Sequence, residues 1–185
     1  MPRVSPEYLE RRREEILAGA RRAFARYGFE GATVARLEEE IDVSRGAIFH
    51  YFPSKEDLFI ALAEMESLRV ARLLEEKGLA GVVRAIARED PEWLGTYLEV
   101  MRLTRIDPAF RARWERRRNA LDDALTRESR RARRAGELRG DVPAGALARF
   151  FGIFLDGVLL QAPTIGLPPD MGPVLRLVEE AVAPR

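Results

Sequence analysis

Apolar residues along this chain recur three and four positions apart, and no run alternates with a period of two between turn residues. That spacing predicts helix almost throughout. From about Pro6, the residues Ile16, Leu17, Ala20, Phe24 and Tyr27 form one stripe, which Gly28 closes. Thr33, a good N-cap, opens a short helix that carries Val34, Leu37 and Ile41 inward. Asp42-Val43 makes a tight turn, Ser44 caps another short helix through Tyr51, and Pro53 stops it. Ser54 with Asp57 three residues on resembles a capping box for a long helix that runs to about Lys77 and ends at Gly78. Further helices are expected over roughly 79–88, 91–106, 108–135, 143–161 and 169–183, with prolines at several starts and glycines near several ends. The expected fold is all-α with about nine helices. A domain of short helices over 1–53 precedes a larger helical domain over 54–185.

Composition narrows the function. The chain is 46% hydrophobic and 33% charged, which is enough apolar material for a real core. It has no cysteine, so disulfide frameworks and thiolate chemistry are excluded. His50 is the only histidine, which leaves it without the partners that a catalytic triad or a metal site needs. Nor does any pair of Glu-x-x-His motifs suggest a carboxylate-bridged metal centre. Catalysis, metal and cofactor are therefore not expected. The most apolar run, ALARFFGIFLDGVLLQA, is broken by Arg149 and Asp156, and the N-terminal MPRVSPEYLERRREE has no signal-peptide core. A cytoplasmic protein without a membrane partner is the expectation.

Charge is a poor guide to the site. Residues 1–55 hold ten basic groups against nine acidic ones, whereas 111–139 hold eleven arginines against five acidic groups. The arginine-rich segment reads as a long amphipathic helix with a solvated face. The acidic run Glu38-Glu39-Glu40 is expected to face away from any phosphates.

The spacing from Thr33 to Tyr51 is that of a helix-turn-helix, whose second helix enters a DNA major groove. Ser44 would start that recognition helix, with its free amides toward a phosphate. Arg45 has the fork to donate two hydrogen bonds to guanine O6 and N7, and the Ala47 methyl can meet a thymine methyl. Gly46 permits close approach, and Tyr51 and Lys55 would flank the groove on phosphates. For His50, contact with the DNA backbone competes with plain packing beside Phe49 and Phe52.

The stretch GFEGATVARLEEEIDVSRGAIFHYFPSKEDLF resembles the N-terminal signature of the TetR family of transcriptional regulators, G-x-x-x-T-[ST]-[VM]-x-x-[IL]-A-x-x-A-G-V-S-x-G-x-[LI]-Y-x-[HY]-[FY]-x-x-K-x-x-L. The resemblance implies that Thr33 and Ser44 cap helices near phosphates, that Arg45, Gly46 and Ala47 face bases, that Tyr51 and Lys55 clasp the backbone, and that Phe52 packs inside. Three positions depart from the pattern. Asp42 stands where glycine is usual, which puts some strain on the turn. Glu38 replaces a customary alanine and reads as a solvent-facing variation, and Phe49 replaces a common tyrosine. A second stretch, GELRGDVPAGALARFFGIFLDGV, resembles the family's entry into its penultimate helix. Within the family, SRGAIFHYF is most similar to a branch that includes repressors of aconitase genes.

From Leu147 to Leu160 the chain is apolar on nearly every side, the mark of a helix buried all round. In a small chain this predicts one face on its own core and another on a second copy. Leu147, Phe151, Phe154 and Val158, with Leu175, Val178 and Val182 of the last helix, are the expected homodimer interface. The resemblance implies the same arrangement, with two-fold symmetry matching a palindromic operator on double-stranded DNA.

For an effector, Tyr97, Met101 and Arg105 lie on one helix, Trp114 and Arg118 on the next, and Asp156 on the apolar one. These six form either a structural ion pair within a core or a pocket for a small acidic molecule, such as an organic acid. Both readings stay open at this point. The function expected is a homodimeric, ligand-released repressor. The alternatives are a constitutive or co-repressor-dependent regulator without an inducer pocket, or a helical enzyme.

Overall fold

The computed structural model describes residues 5–184, with the side chains of residues 116–121 outside the description. Among the described residues there are eight helices: α1 (Pro6–Gly31), α2 (Val34–Ile41), α3 (Arg45–Tyr51), α4 (Lys55–Ile86), α5 (Pro91–Ile106), α6 (Pro108–Arg134), α7 (Ala144–Gln161) and α8 (Gly172–Val182). The protein is all-α, as its periodicity predicts.

The helices begin where side chains satisfy the orphan amides of a first turn. Ser5 caps α1 by accepting from the Tyr8 amide, and Pro6 opens it. Thr33 caps α2, Ser44 caps α3 and Asp90 caps α5. The Ser54–Asp57 box forms as expected: the Asp57 amide donates to Ser54 Oγ at 3.0 Å, and the hydroxyl donates to Asp57 Oδ2 at 2.7 Å. Asp107 Oδ1 takes the Ala109 and Phe110 amides at the head of α6. Two glycines break helices at positive φ, Gly28 in α1 (68°) and Gly78 in α4 (64°). The second break is the stop expected after Lys77. The last helix starts about three residues later than periodicity suggests, because Asp170 Oδ1 binds the Gly172 amide at 2.8 Å and holds the preceding turn.

The contacts divide the chain into two compact units. The first runs to Met65 and takes in Asp90–Arg113, so α5 joins the three N-terminal helices and the start of α4. Its core is an aromatic cluster on α1, α4, α5 and α6. Phe24 stacks on Phe29 at 5.8 Å and meets the edge of Phe59 at 5.0 Å, Phe29 meets Phe110 at 6.2 Å, and Phe59 lies 6.3 Å from Trp93. Each such pair adds roughly 0.5–1.5 kcal/mol to the area that it buries. Leu37 and Ile41 of α2 and Ile48 of α3 are buried in the same unit.

The second unit comprises Glu66–Glu89 and the chain from Trp114 onward. Leu125, Leu147, Leu155, Val158, Leu175 and Val178 form its core. Arg139 closes the end of α8: its amide donates to the Val182 carbonyl at 2.8 Å and its guanidinium to the Ala181 carbonyl at 3.0 Å. On α6, Arg127, Arg130, Arg131 and Arg134 are exposed at helical spacing, the solvated face expected of that segment.

Candidate nucleic-acid interface

Leu37, Ile41, Val43, Ile48 and Phe52 all point inward, which fixes α2 and α3 as a corner with one outer edge. That edge is the start of α3. Ser44, Arg45 and Gly46 are exposed, Ala47 is half-buried, and Arg45, Gly46, Phe49 and Pro53 line a shallow depression. The Arg45 guanidinium lies 5.8 Å from the Phe49 ring centroid and has no carboxylate partner among the described residues. A planar, uncommitted fork beside small residues suits bidentate recognition of a base edge.

The turn that aims α3 passes through Asp42 at φ 57°, ψ 46°, the one non-glycine residue with positive φ among those described. The left-handed conformation that strains this turn is present, and an aspartate bears it better than most residues. Ser44 Oγ accepts from the Ala47 amide at 3.4 Å, and Thr33 Oγ1 from the Arg36 amide at the same distance.

Four features revise or sharpen the expectations. Glu38 is not turned to solvent: its carboxylate accepts from the backbone amide of Arg45 and so caps α3 from α2. A negative group at a helix start interacts well with its dipole. It occupies the first of the amides that would otherwise meet a phosphate. Lys55, expected on a phosphate, is half-buried, and its Nζ donates to the Phe29 carbonyl at 2.8 Å and the Glu30 carbonyl at 3.4 Å. The Phe29 ring lies against it, with the centroid 4.7 Å from Nζ. His50 is exposed, with its ring edge-on to Tyr51 at 5.4 Å, rather than packed in the core. Glu40 is bonded to α1: its carboxylate pairs with Arg26 at 2.9 Å, and its carbonyl accepts from Arg22 at 2.8 Å.

The head's cations are thus largely committed, with Arg36 also bonded to the Gly31 carbonyl at 2.8 Å. One that carries no signal in the sequence, Arg13, lies against the far end of α3. The Arg13 guanidinium is 5.4 Å from the Phe52 ring centroid, and Arg12 lies beside it on α1. The Arg12 guanidinium is shifted further above its ordinary pKa, chiefly by its 2.7 Å bond to Glu15.

Comparison with known proteins bears on this corner directly. Residues 16–62 match the model of bacterial regulatory proteins of the tetR family. The HTH-type transcriptional repressor AcnR of Corynebacterium diphtheriae is 45% identical over 184 residues, covering 98% of this chain and 97% of its own. The chain belongs to the TetR family. AcnR of Corynebacterium glutamicum is 44% identical over 176 residues, covering 94% of this chain and 93% of its own. This TetR-family protein therefore lies with the AcnR repressors, which are regulators of transcription and not enzymes. Its fold is that of Salmonella enterica GusR, with a TM-score of 0.77 at 23% identity over 97% of this chain and 98% of that one. E. coli NemR gives 0.67 at 19% identity, covering 93% of this chain and 97% of its own.

The remaining expected site residues fall in both units. Tyr97 and Met101 are half-buried and Arg105 is exposed on α5 of the first unit. Trp114 is buried and Asp156 half-buried in the second, and Arg118 lies outside the described residues. Of the expected dimer residues, Leu147, Val158, Leu175, Val178 and Val182 are buried within their own unit, while Phe151 and Phe154 are half-buried. The uncovered stripes are others. On α7, Phe150 (41% exposed), Ile153 (64%) and Leu160 (51%) share one side with Gly157. On α8, Leu177 (66%) lies with Val174 and Ala181. With a mean hydropathy of 1.4, α7 is long and apolar enough to cross a membrane despite its two charged residues.

Proposed function

We propose that this protein is a homodimeric, cytoplasmic repressor that binds a palindromic operator through α3 and is released by a small-molecule effector. The observation that carries the reading is the start of α3, where Ser44, Arg45 and Gly46 stand exposed on a helix-turn-helix shared with repressor relatives. Ser44, Arg45, Gly46 and Ala47 meet the groove, and Thr33, His50 and Tyr51 meet its phosphate walls. Lys55 acts behind them by bracing α1. The uncovered stripes of α7 and α8 supply the self-association surface that a two-fold operator requires. They explain an apolar α7 as a subunit contact, with no membrane needed.

Effector release follows as a population shift. A ligand that favours a conformer with wrongly spaced recognition helices weakens operator binding by its differential affinity for the two forms. Within the first unit, Tyr97, Met101 and Arg105 of α5 remain candidate ligand contacts, with Arg105 as anchor for an acidic molecule. The resemblance to repressors of aconitase genes makes the upstream regions of such genes the first operators to test.

The decisive experiment is an operator titration of Arg45→Ala. A loss of about 1–3 kcal/mol with relaxed choice at one base pair is expected. Unchanged affinity and unchanged base preference would remove Arg45 from the interface.

A further inference from the structure

We infer that Glu99 is a positioning residue for DNA binding, the point at which α5 grips the segment from which the helix-turn-helix departs. The inference deepens the proposed function and rests on it. It starts at Gly28, whose positive φ breaks α1 shortly before α2 begins. Beyond the break, the Phe29 and Glu30 amides both donate to Glu99 Oε2. The carboxylate lies so close that a Cβ on Gly28 would collide with its other oxygen, Oε1. Charge-assisted bonds of this kind are about twice as strong as neutral ones, and here they cross 70 residues of sequence.

The carbonyls of the same two residues are held by Lys55, the first residue of α4. Three residues along α5 from Glu99, Arg102 pairs with the Glu30 carboxylate at 2.9 Å. The Phe29 ring is pinned in the aromatic cluster. A two-residue segment is therefore gripped at its N–H groups by α5, at its carbonyls by α4, and at its side chains by both. Thr33, the cap of α2, follows three residues after Glu30. A shift of α5 has a bonded route to the start of α2.

The geometry also relates the two duties of α5. Glu99 and Arg102 face α1, Tyr97 and Met101 run along another side of the helix, and Arg105 lies between, one turn on from Arg102. A ligand held on α5 would reach a DNA held through Thr33 by way of Glu99 and the Phe29–Glu30 segment. Such coupling requires an element that both sites bias, and the Glu99 clamp makes α5 that element.

The test uses the full-length protein, wild type against Glu99→Ala and Glu99→Gln, with an operator that the wild type selects from a random duplex library. Three quantities are read: amide exchange at Phe29 and Glu30, operator affinity, and affinity for random-sequence duplex. In Glu99→Ala the two amides should exchange at least about tenfold faster and operator affinity should fall about tenfold. Random-duplex affinity should hold, because no DNA-facing cation has changed. Glu99→Gln keeps an oxygen that accepts without charge and should fall between the two. Fast exchange with wild-type operator affinity would reduce Glu99 to a fold contact, and slow exchange would remove the clamp altogether. If the alanine variant does not fold, the same two outcomes are read from Glu99→Gln. Failure of the wild type to select any operator would instead sink the proposed function, and exchange alone would then decide whether the clamp exists.

Discussion

The head that carries α1–α3 and the α7–α8 end of the same chain are both helical and both apolar inside, yet they are specified in different ways. In the head, Ser5, Thr33, Ser44 and Ser54 fasten helix starts by hydrogen bonds that span three residues of sequence. At the other end, α7 and α8 begin on Pro143 and Met171 with no side-chain cap bond. Packing sets the limits of α7, while Asp170 holds the first amide of α8 and Arg139 closes its last carbonyls. The head is built from local chemistry with a specific aromatic core, and the far end from two sides of one apolar surface. A recognition module needs each residue in a fixed direction, whereas a subunit contact needs only area and shape.

This contrast predicts a ranked set of outcomes. Phe24→Ala should be the most damaging, since it removes a fully buried ring that contacts both Phe29 and Phe59. A loss of about 3–5 kcal/mol in unfolding free energy is expected from chemical denaturation. A loss under about 1 kcal/mol would mean that the cluster is loosely packed. Ile153→Asp should act on assembly instead. With its side chain 64% exposed, charging it should barely alter the core of its unit. It should weaken self-association by roughly 2–4 kcal/mol in sedimentation, as a desolvated charge at an interface centre does. Equal weights for mutant and wild type would move the contact elsewhere.

Thr33→Ala tests the capping half of the comparison, with about 1 kcal/mol of stability expected to go with the lost bond to the Arg36 amide. The same change at Pro143, where no cap bond exists, should cost much less. Asp42→Gly should give the smallest effect and the opposite sign. Glycine takes the left-handed turn without a Cβ penalty, and part of that gain is offset by its freer unfolded chain. A rise of about 0.5 kcal/mol in stability is expected, readable as a melting temperature about one or two degrees higher.

What is legible in the sequence follows the same division. The starts at Pro6, Pro91 and Pro108, the caps Thr33 and Ser44 and the break at Gly78 can all be read from single residues, because each acts on its own neighbours. The exposed start of α3 is legible for the same reason. The face of α7 that stays uncovered is not, because Leu147 and Ile153 are equally apolar and only the folded unit decides which is inside. Glu38 reads as a surface variation because its partner, the Arg45 amide, is a backbone group that no side-chain pattern marks. Lys55 reads as a phosphate contact because a lysine carries no sign of which oxygen it will meet.

Gly28 shows how far such constraints reach across a chain. Its backbone angle excludes most side chains, and Glu99 occupies the space where any side chain would begin. The coupling between positions 28 and 99 therefore runs one way: Glu99 can change with Gly28 in place, but a side chain at 28 requires Glu99 to move. A side chain at position 28 meets the positive φ first and the carboxylate second, so the glycine is the less replaceable of the two. Descendants of this protein can lose the carboxylate and keep the glycine, while the reverse order carries the backbone penalty as well.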